Sequence, residues 1–339
     1  MSTHHRSQAT LDAVAAHAGV SRATASRVLS GSTRVSENAR KAVEAAVAEL
    51  EYVPNRAAQS LVTRQSDALA FVVTETEDVL FSDPFFAPVL HGAHAAAAER
   101  GRPLVFVIAA NEDDSARLER YAAGGHVDGV MFVSVHGGDA LPRRVHRLGV
   151  PVVLAGRPPR GRIALPYVSS DNEAGGTLAA QALTNRGCHR LATITGPEDM
   201  TATGDRLTGF RRGVEAAGGV LDDQLIVASD FTMDGGREAM ADLLDRHSDI
   251  DGVFAANDLM AVAAVQEAID RGRSVPDDIA VVGFDDVPIA SATHPSLTTI
   301  RQPLEAMGRH MARMLIDAAE GNPVTSMVLE VEMVQRQSA

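Results

Sequence analysis

From position 10 to position 50 the apolar residues recur three and four places apart. Leu11, Val14, Ala15 and Ala18 fall at i, i+3, i+4 and i+7, which makes one narrow stripe on a helix that Thr10 caps and Gly19 ends. Ser21 suits the N-cap of a second helix, with Ala25, Val28 and Leu29 on its buried face. After the loop GSTRV, Ser36 caps a third, and its Ala39, Val43, Ala46 and Leu50 close a three-helix core. The second helix keeps a polar face. Arg22, Ala23, Ser26 and Arg27 point together away from the apolar stripe, as residues that enter a DNA major groove do. Arginine fits that role because its planar fork grips guanine O6 and N7 with two hydrogen bonds.

Pro54 breaks the pattern, and Asn55 can cap a segment, 56–62, too short to hold as a helix alone in water. Its conspicuous residue is Leu61. An apolar side chain on such a marginal helix, beside a DNA-binding unit, suits a wedge between base steps of the minor groove.

Beyond a short linker, 65–67, apolar strands alternate with amphipathic helices. Strands are expected at 68–73 and 104–109 and helices at 86–100 and 113–123; the apolar runs 130–133, 141–148 and 152–154 continue the alternation. The break GRPPRGRIALP follows, and a second set runs from 168 to 282. Short apolar runs flanked by helices mean parallel sheets covered on both faces. Three helices end alike, at Arg100-Gly101, Arg186-Gly187 and Arg271-Gly272, with a cation in the last turn and a glycine free to turn left-handed, which marks equivalent units. After a second break, THPSLTTIRQP, one helix (304–320) and one strand (328–334) are too few for a third domain. The expected fold class is therefore α/β: a helix-turn-helix head at 1–54, a hinge helix and linker at 55–66, and a two-lobed body of doubly wound parallel sheets at 67–339. The expected lobes are about 67–163 with 292–321, and about 164–291 with 322–339. A cleft between them at the carboxyl ends of the strands would take a small molecule.

Composition sharpens this. The 339 residues are 45% hydrophobic, enough for two or three cores, and their formal net charge is −13. Residues 1–64 carry +3 and the remainder −16, so a basic head sits on an acidic body and the head is the part drawn to DNA. Cys188 is the only cysteine and no long apolar run offers a signal peptide or membrane span, so no internal disulfide, no membrane and a cytoplasmic location are expected. His4 and His5 belong to a polar tail. Lys41, in the head, is the only lysine, which excludes a P-loop and a Schiff-base lysine in the body. No G-x-G or G-x-S-x-G occurs, His91 and His94 lack a third ligand, and Cys188 beside His189 is not a catalytic pair by adjacency. No catalytic residue, cofactor or metal is expected.

TLDAVAAHAGVSRATASRVL, followed by VSENARKAVEAAVAELEYVPNRAAQSL, resembles the headpiece of the lactose repressor (LacI/GalR) family. DPFFAPVLHGAHAAAAERG, SSDNEAGG, RLTGFRRGVEAAG, FAANDLMAV, VPDDIAVVGFDD and PSLTTIRQPL resemble the effector domain of that family, which is similar to periplasmic sugar-binding proteins. The resemblance covers nearly the whole chain. It implies that Arg22, Ala23 and Arg27 read bases, that Ser21, Thr24, Ser26, Tyr52 and Asn55 hold phosphates or set the docking, and that Leu61 is the minor-groove lever. In the body it implies a cleft lined by Phe85, Phe86, Arg206, Phe231, Asn257, Asp258 and Asp285. Carboxylate, amide and guanidinium groups bridge vicinal hydroxyls, and aromatic rings take the apolar face of a sugar. Asp258 can instead cap a helix, and Phe86 can instead fill a core. Ala25 and Ala263 depart from the usual Val and Gly. Met200 and Ala202 stand where purine-sensing relatives use polar or cationic groups, which favours a carbohydrate effector.

The expected protein is a sequence-specific DNA-binding repressor, a homodimer on a pseudo-palindromic operator of double-stranded DNA, controlled by a sugar between its lobes. No heptad tail follows the last strand, which favours a dimer over a tetramer. The alternatives are a regulator answering to a protein co-repressor or to a metabolite such as a purine, and a catalytic α/β body fused to a DNA-binding head.

Overall fold

Thr10, Ser21 and Ser36 each place a hydroxyl oxygen on the amide three residues ahead, at 3.2, 3.1 and 3.4 Å, and so start the three helices of the head. These are α1 (Leu11–His17), α2 (Arg22–Leu29) and α3 (Glu37–Glu49). The core between them is Val14, Ala15, Ala25, Val28, Val43 and Ala46, with Leu50 and Tyr52 packed at its edge. Half of it is alanine, so the helices meet closely around a small apolar centre. The computed structural model describes residues 9–29, 32, 34–52, 66–159 and 164–339, and its two compact units divide between Ser66 and Asp67. Asn55, Leu61 and the expected hinge helix lie outside the described residues.

The body begins with β1 (Leu69–Val73), α4 (Glu77–Ser82), α5 (Phe86–Glu99), β2 (Leu104–Ile108), α6 (Glu112–Ala123), β3 (Gly129–Val133), α7 (Leu141–Arg147), β4 (Val152–Ala155) and β5 (Tyr167–Ser170). It continues with α8 (Asn172–Arg186), β6 (Leu191–Thr195), α9 (Thr201–Ala216), β7 (Ile226–Ala228), α10 (Met233–Arg246), β8 (Gly252–Ala255) and α11 (Asp258–Asp270). Last come β9 (Ala280–Asp285), α12 (Pro288–Ala292), β10 (Thr298–Arg301), α13 (Leu304–Ala319), β11 (Met327–Leu329) and β12 (Glu332–Val334). Two six-stranded sheets result, ordered β11-β5-β4-β3-β1-β2 and β12-β10-β9-β8-β6-β7. Every pairing is parallel except β10 with β12.

Alternation sends each strand into two cores. Leu69, Phe71 and Val73 pack under α5 and α13, while Ala70 and Val72 pack under α6 and α7. In the second lobe α10 and α11 cover one face and α8 and α9 the other. Gly176 lets α8 touch α9: a Cβ there would lie 2.1 Å from the carbonyl oxygen of Arg206. That contact fixes the height at which Arg206 enters the cleft.

The lobe boundaries differ from those expected at three places. β5, expected to open the second lobe, pairs with β4 in the first sheet, so the chain crosses only after Ser170. β10, expected in the first lobe, pairs with β9 in the second, so the return crossing follows Arg301. The expected single strand 328–334 is two strands in different sheets, β11 beside β5 and β12 beside β10. Glu330 and Val331 make the third crossing.

Candidate functional site

On α2, Ser21, Arg22, Ala23, Ser26 and Arg27 are exposed and Thr24 is half-buried, which leaves one polar face presented outward. The hydroxyls of Ser21 and Thr24 lie 2.9 Å apart. Arg22 reaches Asp12 on α1 at 3.4 Å, a solvated pair of small energetic weight. Tyr52 packs against the head core.

The body holds a cavity of about 290 Å³ between its sheets. Its lining comes from the carboxyl ends of strands and the first turns of the helices that follow, the usual binding position in open parallel sheets. From the first lobe come Glu75, Asp83, Phe85, Phe86, Ser134 and His136; from the second, Arg206, Phe231, Asn257 and Asp285. Ser170, Asn172 and Gln302 form the floor, beside the crossings.

Arg206 is the centre of the second-lobe wall. Its Nε donates to Asn172 Oδ1 at 2.8 Å, and Nη1 donates to the carbonyl of Ala256. The guanidinium lies 3.8 Å from the centroid of the Phe284 ring. Its Nη2 stands 3.8 Å from Asp285 Oδ1, too far for a direct hydrogen bond and right for a hydroxyl to bridge both. Burial lowers the Arg206 pKa, and nearby Asp285 opposes that. Burial pushes Asp285 up to about 7 against the pull of Arg206, while Gln302 donates to its Oδ1 at 2.5 Å. Burial likewise raises Asp83 to about 6.

Ser134, Phe231 and Asp285, all in the lining, have φ of 62°, 67° and 114°, conformations costly for residues with side chains. Asn257 caps α11 through Oδ1, 2.9 Å from the Met260 amide, and its Nδ2 donates to the Phe231 carbonyl at 2.8 Å. It therefore also holds Phe231 in place. Phe85 and Phe86 meet edge to face at 5.4 Å; Phe86 is buried in the first-lobe core and also lines the cavity.

Asp258 is the one expected cleft residue that the structure does not bring there. It is fully buried, accepts from the Val287 amide at 2.8 Å and from Thr299 Oγ1 at 2.5 Å, and its pKa is raised by burial and by Asp285. Neighbouring Asn257 caps the helix instead, and the turn sends the two side chains opposite ways.

Sequence reasoning missed His136 and its partners. Its Nε2 lies 3.1 Å from Glu75 of the same lobe and its Nδ1 2.9 Å from Asp199 of the other. The bond to Glu75, supported by Asp199, raises His136 to about 9, so both ring nitrogens donate at neutral pH. Arg157 and Asp205, 2.5 Å apart, make a second ion pair from lobe to lobe. These partners are separated by 48 to 63 residues, and no local pattern announces them. Ser170 Oγ is buried in the floor without a hydrogen-bond partner among the described residues, a hydroxyl available to a ligand.

A helix-turn-helix head joined to a two-lobed body with a polar cleft defines a DNA-binding regulator with a small-molecule sensor. The profile described as bacterial regulatory proteins, lacI family, matches residues 10–55, and that of a periplasmic binding protein-like domain matches residues 180–339. The HTH-type transcriptional regulator CelR of Thermobifida fusca is 46% identical over 338 residues, 98% of this chain and 99% of that protein. The chain belongs to the lacI family of bacterial regulatory proteins and is a DNA-binding transcriptional regulator. Among solved structures, a CelR-cellobiose complex is 44% identical with TM-score 0.78, covering 98% of this chain and 100% of that one. The lac repressor dimer bound to operator and the anti-inducer ONPF is 27% identical with TM-score 0.83, covering 98% and 99%. Among the described residues no helix is long and apolar enough to cross a membrane.

Proposed function

We propose that the chain is a cytoplasmic repressor whose operator affinity is set by a short β-linked glucose sugar of the cellobiose type, bound between the lobes. The observation that carries this is the Arg206 to Asp285 gap of 3.8 Å beside the Phe231 ring, in a chain so similar to a protein solved with cellobiose. One sugar hydroxyl set beside that pair accepts from Arg206 and donates to Asp285, and aromatic rings take the apolar face. Phe85, Phe86 and Asn257 complete the site, with Asn257 acting mainly as the support of Phe231.

In the head, Arg22, Ala23 and Arg27 read bases; Ser21, Thr24, Ser26, Tyr52 and Asn55 set the docking; Leu61 is the minor-groove lever. Two heads of a homodimer address the two halves of a pseudo-palindromic operator. The body binds and does not turn over its sugar. Fluorescence anisotropy of labelled DNA from the gene's own upstream region, challenged with cellobiose, ribose, lactose and purines, tests this. Cellobiose alone should change the affinity. Tight DNA binding indifferent to every sugar would remove the carbohydrate reading and leave the head's role standing.

A further inference from the structure

Three contacts join the lobes along one side of the cleft. His136 Nδ1 donates to Asp199 at 2.9 Å, the Gly137 amide donates to the Asp199 carbonyl at 2.9 Å, and Arg157 pairs with Asp205. On the first lobe these groups stand in the loops after β3 and β4, and Glu75, which His136 also holds, stands after β1. Ser134 Oγ donates to Glu75 at 2.6 Å, so Oε1 takes both donors while the residue lines the cavity. On the second lobe Asp199 precedes α9 and Asp205 lies in its first turns, next to Arg206. The approach is close. A Cβ on Gly137 would lie 2.6 Å from the Asp199 carbonyl oxygen, so glycine is what lets the two loops meet. His136, Arg157 and Asp205 are each a third exposed or less, and their pairs are screened less than pairs on the open surface.

We infer that His136 is a positioning residue of the sensor: with Gly137 and Arg157 it latches the first lobe to the start of α9, and so holds Arg206 across the cavity from Glu75. Every bond of the latch runs between protein groups, so it biases the body toward the closed arrangement that effector binding completes. Effector affinity then scales with the closed fraction. By linkage, loosening the latch moves operator affinity in the direction opposite to that in which effector moves it. The inference concerns the lobes and does not depend on which sugar binds.

Hydrogen exchange of the full-length protein, read by mass spectrometry over residues 134–141, tests the latch, because the Gly137 amide is one of its bonds. His136→Ala and Asp199→Ala should each speed exchange there about tenfold, and the two together little more than either alone, with β1 and β6 unchanged. Each should also weaken cellobiose binding about fivefold in isothermal titration, at an unchanged melting temperature. Exchange over 134–141 that neither substitution alters overturns the latch. A rise spread equally over β1 and β6 overturns it too, since that marks lost packing. Cellobiose that fails to bind the unsubstituted protein overturns the sugar reading and leaves the exchange result to decide the latch.

Discussion

On the second-lobe wall of the cleft, Arg206, Asn172, Asn257 and Asp285 are nearly inaccessible to water and are tied to one another, to Gln302 or to backbone carbonyls. On the first-lobe wall, Glu75, Asp83 and Phe85 are partly exposed; Ser134 Oγ donates to Glu75 at 2.6 Å and the Phe85 amide to Asp83 at 2.9 Å. One wall is buried and internally bonded; the other is more open to water. On the proposed reading of the cleft, the second lobe supplies the preset polar groups and the Phe231 ring, and the first adds Phe85 with the polar groups Glu75, Asp83 and His136.

Arg206→Ala should do the most damage, because it takes the buried cation away from Asp285 and the donor away from Asn172 Oδ1. A loss of about 3–5 kcal/mol in stability is expected, with effector binding abolished, as read by thermal melting and titration. Gly176→Ala comes next: the added methyl strikes the Arg206 backbone, and about 1–3 kcal/mol of stability should go with a parallel loss of effector affinity. Phe85→Ala, on the opposite wall, should lower affinity by about 1 kcal/mol, or roughly fivefold, and leave the melting temperature nearly unchanged. Equal losses of stability from Phe85→Ala and Arg206→Ala would erase the distinction between the walls. The smallest effect is that of pH. Asp285 stands near 7 in the free protein, and a hydroxyl donating to its carboxylate lowers that value in the complex. Affinity should rise as pH approaches 7, level off above it, and bring proton release on binding that titrations in two buffers detect.

The head was legible because its signals are local: the hydroxyls of Thr10, Ser21 and Ser36 cap their helices at amides three residues ahead, and the stripe of Leu11, Val14, Ala15 and Ala18 has a single period. The cleft was legible only where the family resemblance supplied residues, and it carried Asp258 along with Asn257. Two adjacent polar residues at a helix start cannot both face the ligand, and only the path of the chain decides which does. His136 was illegible for another reason. Its meaning lies in Glu75 and Asp199, which different strands deliver. The lobe boundaries were misplaced where composition stood in for pairing: a proline-rich stretch reads as a break, but Ser170 is where the chain leaves the sheet.

The first lobe is assembled from the beginning and the end of the body, since α13 and β11 arrive after all of the second lobe except β12 has been made. On the ribosome the head is available to fold before any of the sensor exists, and its neighbouring lobe must keep the exposed edge of β5 and the bare flank of α5 waiting for the last tenth of the chain. Translation that stops early thus yields a DNA-reading head joined to a lobe that can neither close nor respond.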